Sequence, residues 1–248
     1  GSCSKKNLLF RIIGLFEEEL TGGSIMNNSR SKLLKIISTT NYGTSRWAAS
    51  SLSSNNYNLN NWEQSDIATT LNNNYIGNLF NISEFHSKFA NQRNGLAQAK
   101  WHLGGANSST YNWEQVTAAD MYAIERNTSA VYSSNPSYSF GYVGLMYPSD
   151  YGYAAKGCQS TKLSELHNNQ TCLDNNWLYQ SQLDTFNNIL DEWLISPSSA
   201  NANNVSIIRK GYVQASGIDS TDEYNYRPVF YLDSKELSIA GGEGTSTN

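Results

Sequence analysis

The sequence predicts an α+β fold. Three observations lead there: near-continuous apolar runs of strand length at both ends, segments of helical spacing in the first half, and strand-length runs divided by long polar connections in the second. At 248 residues the chain fits one core. Residues 1–2 read as the remnant of a cleaved tag, 3–244 as a single domain and 245–248 as a tail after the glycines Gly241, Gly242 and Gly244. In chain order, Leu8 to Phe16 (LLFRIIGLF) suits a buried strand, and Leu33 to Ser38 (LLKIIS) suits another. Gly22-Gly23 and Asn27-Asn28 between them predict a long-looped hairpin. Asn41 to Asn61 reads as a polar loop around Trp47.

From Trp62 the spacing becomes helical through Asp66/Ile67, Leu71, Tyr75 and Leu79, with Asn61 or Ser65 as the cap. Ser83 to Arg93 reads as a second helix with Phe85 and Phe89 on one face, ended by Asn94-Gly95. Thr117-Ala-Ala-Asp120 opens a third in the manner of a capping box. In the second half, Phe140 to Tyr147, Val205 to Val213 and Arg227 to Leu232 are strand-like, with Trp177-Leu178 and Trp193-Leu194-Ile195 before turn signals. The terminal strands, Leu8–Phe16 and Val229–Ile239, are expected to pair. Trp62, Trp177 and Trp193 are expected in the core.

Composition excludes several function classes. A net charge of -4 with scattered Lys and Arg gives no basic face for nucleic acid, and no apolar run reaches the ~20 residues of a membrane span. Charged residues are only 15% while aromatics reach 12%. The histidines His86, His102 and His167 are too dispersed for a zinc site, and no H-E-x-x-H, G-x-S-x-G or EF-hand run occurs, so neither metal nor cofactor is expected. Cys158 and Cys172 enclose a short Asn- and Ser-rich loop, which points to a disulfide over two buried thiols. Such a bridge stabilises by ~3 kcal/mol, and it persists in an extracellular setting.

Among the acids, Glu17-Glu18-Glu19 is expected to be a solvated turn and Asp222-Glu223 another. Asp150 is expected to cap a turn, and Glu125-Arg126 to form an internal ion pair. None makes an active site. The aromatics remain: Tyr111, Trp113, Tyr138, Tyr151, Tyr153 and Tyr179 fall in polar Asn- and Ser-rich segments, a composition suited to binding surfaces. The plainer use of such rings is to pin long loops onto the core.

Several segments together resemble a known group: Arg11-Ile-Ile-Gly14, Trp62 through Leu71-Asn72 and Tyr75, Trp101-x-Leu-Gly-Gly105 and Glu125-Arg126. To these add Gly144-Leu-Met-Tyr-Pro-Ser-Asp-Tyr-Gly-Tyr-Ala154, the Cys158/Cys172 pair before Trp177-Leu178, Trp193-Leu-Ile-Ser-Pro197 and Arg227-Pro-Val-Phe-Tyr-Leu232. The set resembles extracellular domains of Firmicutes and Mollicutes-type gut bacteria, often carried behind prepilin-like N-termini. Those are similar in turn to the C-type-lectin-like and sulfatase-modifying-factor superfamily. The resemblance implies a C-type-lectin-like fold with paired terminal strands, helices first and long loops second. It implies a surface role as well. The chain lacks the E-P-N or Q-P-D and W-N-D ligands of calcium-dependent lectins, and Cys158 and Cys172 do not match the cysteine pair of formylglycine-generating enzymes.

The expected function is therefore a non-enzymatic, extracellular, adhesin-like domain binding a glycan or protein on a host or microbial surface. Its ligand contacts are expected from Trp113, Tyr138, Tyr151, Tyr153 and Tyr179. The other readings weighed are a structural minor pilin or surface spacer, a retroelement-diversified receptor, and a glycosidase with an unrecognised carboxylate pair.

Overall fold

The computed structural model describes residues 9–20, 30–48, 60–76, 96–107, 115–133, 135–180, 190–218 and 223–233. The first two apolar runs form β1 (Phe10–Glu19) and β2 (Arg30–Ser38), which pair antiparallel as expected. Alternation in β2 turns Leu33, Lys35 and Ile37 into the interior. In β1 the register shifts between Ile12 and Gly14. This extra residue, Ile13, resets the alternation. Ile12, Leu15 and Glu17 are exposed, while Phe16 is half-buried and Glu18 buried. Glu18 is thus an interior side chain and not part of a solvated turn.

Two strands complete this sheet: β6 (Val143–Gly144) and β11 (Val229–Asp233), in the order β1-β2-β11-β6. The expected pairing of the terminal strands is corrected here. β2 is apolar on both faces and takes the central place beside β11, leaving β1, with its bulge and charged end, at the edge.

A second sheet runs β3-β10-β7-β8-β9, from Gly43–Ser45, Tyr224–Tyr226, Glu192–Pro197, Asn204–Arg209 and Tyr212–Gly217. All six residues of β7 are buried. The single strand expected over Val205 to Val213 is two, because the chain reverses at Lys210-Gly211, where φ is 50° and 87°. Such a positive-φ pair is the tight hairpin turn that matches strand twist. Trp47, expected in a polar loop, is fully buried between Trp62 and Trp193, with ring centroids 5.7 and 5.6 Å away. Trp62 and Trp193 are core as expected. Trp177 is only partly buried and carries the Arg11 guanidinium 4.8 Å above its ring.

The segment from Trp62 is one winding made of a 3-10 turn (Trp62–Gln64), α1 (Asp66–Thr69) and a π turn (Thr70–Tyr75). Both expected caps act: Asn61 accepts from Glu63 N, and Ser65 from Ala68 N. The helix expected over Ser83 to Arg93 lies outside the described residues. α2 (Ala118–Glu125) opens on the expected capping box between Thr117 and Asp120. The second half also holds helices, contrary to expectation: α3 (Pro148–Ala154), a 3-10 turn (Leu166–Asn168), α4 (Gln170–Asp174) and α5 (Trp177–Gln180). α3 starts with Pro at its first position, where the missing N–H costs no hydrogen bond. Cys158 and Cys172 are bonded, with Cα atoms 5.8 Å apart. No helix of the described residues is long and apolar enough to cross a membrane.

The ladder β4 (Ala99–His102) with β5 (Tyr138–Gly141) stands beside the end of β1. Gly104 and Gly105 press it against its neighbours. A Cβ on Gly104 would come within 2.1 Å of the Ile124 carbonyl, and one on Gly105 within 1.5 Å of the Pro197 carbonyl. Only glycine permits these approaches, and they bring the end of α2 against β4.

The interior also holds a bidentate ion pair, Arg227 Nε to Glu192 Oε1 at 2.8 Å and Nη2 to Oε2 at 3.0 Å, both residues buried. Removing one member strands the other charge. Glu192→Ala is predicted to cost ~3–5 kcal/mol, measured by urea denaturation, with a far smaller loss for a double replacement by apolar residues. Reduction of the disulfide is predicted to lower stability by ~3 kcal/mol, seen as a drop in Tm with thiol and without change in the native far-UV spectrum below the transition.

Candidate functional site

Period-two alternation divides the β4–β5 ladder into two faces. Ala99, Trp101 and Ser139 point inward and are buried, while Lys100, His102, Tyr138 and Phe140 share the other face. Tyr138 is 43% exposed. Lys100 Nζ stands 4.4 Å from its ring centroid and pairs with Glu19 Oε1 at 3.0 Å. Phe140 meets the same ring edge to face at 5.5 Å. The tyrosine is thus held from two sides before any ligand arrives.

Glu18 joins this face to α2. Its Oε2 lies 2.9 Å from His102 Nε2, and its Oε1 accepts from Arg126 Nη2 at 2.6 Å. Burial opposes ionisation of Glu18, yet the His102 hydrogen bond and the Arg126 charge hold its carboxyl below the usual range. Arg126 covers the ring of Tyr122 at 3.7 Å, and Tyr122 is 36% exposed. Cation and ring at that distance attract by ~0.5–1 kcal/mol when exposed. The expected Glu125–Arg126 pair is present at 3.7 Å, but the shorter partner of Arg126 is Glu18.

Beneath this surface lies a desolvated layer. Tyr147 connects the two, its hydroxyl accepting from His102 N at 2.7 Å while its ring centroid sits 4.2 Å from Lys35 Nζ. Lys35 is fully buried, pairs with Asp150 Oδ2, and has Phe16, Tyr231 and Trp101 at 5.1, 5.6 and 6.0 Å. Burial pulls the Lys35 pKa down, against the opposing charge of Asp150. Asp150 also accepts from Tyr147 N at 2.9 Å, the capping role expected of it. Glu125 is fully buried and takes both polar hydrogens of Ser149, N at 2.9 Å and Oγ at 2.6 Å. Burial and the nearby Asp150 charge push its pKa up to about 8.

Glu18 and Glu125 are therefore two carboxyls driven to opposite protonation states, the pattern of an acid and a base. Both are buried and held by internal partners, so neither presents an oxygen to a substrate at the surface.

The tyrosines expected to bind ligand divide. Tyr138 and Tyr153 are exposed, Tyr153 by 46% on α3. Tyr151 and Tyr179 are buried and pin α3 and α5 onto the core, the plainer use weighed for such rings. They are corrected here as surface contacts. Asn176 locks both helices, donating to Tyr151 O at 3.0 Å and accepting from Leu178 N and Tyr179 N at 3.1 and 3.2 Å. Trp113, like Tyr111, lies outside the described residues. Sequence reasoning missed Lys100, His102 and Tyr122 as members of one surface, and Glu18 as the buried carboxyl that joins His102 to Arg126. The alternation Ala-Lys-Trp-His in 99–102 was the available signal. Among the described residues no cluster of His, Cys, Asp or Glu could hold a metal ion.

Comparison of the chain with family models, curated proteins and solved structures gives no match.

Because Glu125 holds a proton in the folded protein that an unfolded carboxyl releases near 4.5, unfolding releases a proton between about 4.5 and about 8. Stability is therefore predicted to fall as pH rises through that window. Glu125→Gln is predicted to flatten this fall, checked by denaturation midpoints at pH values across the window. Glu18 acts with the opposite sign, stabilising above its unfolded pKa and losing that contribution as pH falls through its lowered one.

Proposed function

We propose that the chain is a non-enzymatic binding domain of the extracellular or pilus-associated kind, and that it takes a glycan on the face carrying Tyr138 and Tyr122. The observation that carries this reading is the arrangement of these two part-exposed rings, Tyr138 on β5 and Tyr122 on α2, each backed by a cation, with His102 and the buried Glu18 linking the two elements. A sugar ring offers an apolar face and a rim of hydroxyls. A tyrosine with adjacent donors and acceptors meets both needs. Ordering of the rings before binding reduces the entropy lost when a ligand docks.

The disulfide supports an oxidising setting. The resemblance in sequence to C-type-lectin-like surface domains agrees with the reading and supplies no ligand. Tyr153 stands exposed on α3.

The test is a screen of the purified domain on mucin and microbial glycans, with calcium and again with chelator. Binding is expected to survive the chelator. On a glycan that binds, Tyr138→Ala and Tyr122→Ala are each predicted to raise Kd roughly tenfold, equivalent to ~1.4 kcal/mol. Tyr153→Ala is predicted to have a smaller effect. A blank array would move the reading to a protein ligand or to a purely structural surface role. Unchanged affinity in both principal variants would remove the site assignment.

A further inference from the structure

We propose that Lys35 and Asp150 become joined after folding by an amide between Nζ and Cγ, an intramolecular isopeptide cross-link assisted by Glu125. This inference does not rest on the binding role proposed above.

Condensing an amine with a carboxyl needs contact, a nucleophilic amine, exclusion of water and a group to move protons. All four conditions meet at one place. Lys35 Nζ touches Asp150 Oδ2 directly, although the residues lie 115 positions apart. Asp150 is anchored by the α3 N-terminus through Tyr147 N, and Lys35 by the central strand β2, so neither end is a wandering surface side chain. Burial favours the uncharged, nucleophilic form of Lys35. Phe16, Tyr147, Tyr231 and Trp101 surround Nζ. A site so desolvated favours loss of water over hydrolysis of the product.

Glu125 is the proton carrier. It is buried one residue from Asp150 through its two hydrogen bonds to Ser149, and it feels the charges of both Asp150 and Lys35. With its pKa pushed up to about 8 it holds a proton at neutral pH, where an ordinary carboxyl does not. Tyr231 adds a buried hydroxyl that has no hydrogen-bond partner among the described residues.

The step balances without a co-reactant. A proton passes from the Lys35 ammonium to the Asp150 carboxylate, leaving a neutral amine and a neutral acid. The Nζ lone pair attacks Cγ, forming the C–N bond and a tetrahedral carbon. The Glu125 carboxyl gives its proton to the departing hydroxyl and recovers one from Nζ. The Cγ–O bond breaks, one water leaves and the amide remains.

The test is the mass of the wild-type chain, denatured and reduced, compared with its sequence. A mass lighter by one water molecule is expected, with a branched proteolytic peptide whose fragmentation places the link between Lys35 and Asp150. Lys35→Arg and Asp150→Ala are expected at full sequence mass. Because the chain is read denatured, the wild-type result does not depend on any variant folding. Wild-type protein at full mass would overturn the proposal, as would a lost water that maps to other residues. Glu125→Gln preserves size and shape, and its expected result is a folded, disulfide-bonded chain at full sequence mass. Cross-linking in Glu125→Gln as complete as in wild type would remove Glu125 from the reaction.

Discussion

An ammonium group held among four aromatic rings in the middle of a central strand sets the terms for much of this fold. Isolated in an apolar interior, the Lys35 charge would be far too costly to keep. It is compensated by Asp150, and Asp150 can serve only because α3 begins where it does. That start depends on Tyr147-Pro148, and the Tyr147 ring also lies against Lys35. Next to it, Ser149 engages Glu125, which fixes the end of α2. Glu18, Arg126 and His102 extend the same chain of compensation to the surface. The exposed tyrosines are therefore mounted on a scaffold of satisfied interior polar groups.

Asparagine plays a comparable part for the backbone. Asn60 donates to the carbonyls of Ser198, Asn201 and Asn204, between 2.9 and 3.0 Å, and accepts from Asn135 at 2.6 Å. Asn72 donates to Val143 O at 2.9 Å and accepts from Tyr142 N and Val143 N. A side-chain amide can act as donor and acceptor at once, so it can tie an irregular segment that no ladder covers. Long connections without regular structure need such ties, because buried backbone groups must be paired. Asn60, Asn72, Asn135 and Asn176 thus serve as interior ties and not as an adaptable surface.

Legibility from sequence follows the range of the interactions concerned. The β1–β2 hairpin, the caps at Asn61, Ser65 and Thr117 and the disulfide were readable because local spacing or a near-neighbour loop decides them. Sheet order was not. Whether β11 joins β1 or β2 depends on which edge the finished hairpin leaves apolar, and periodicity within one strand is silent on that. Glu18 shows the limit most clearly. A single bulge at Ile13 carries it from solvent to interior, and no residue-level preference announces a bulge there. The candidate site was legible in Tyr138 alone, because its other members come from β1, β4 and α2 and meet only in the folded chain.

The place of β11 beside β2 also governs how the chain can be made. Synthesis delivers the β1–β2 hairpin first, with the far edge of β2 open, and the strand that closes it comes from residues 229–233. An open apolar edge invites pairing with other chains. Sheet completion must therefore wait until residues 229–233 have been made, and such long-range pairing is slow. Truncations that spare every earlier element but remove β11 leave that edge unclosed.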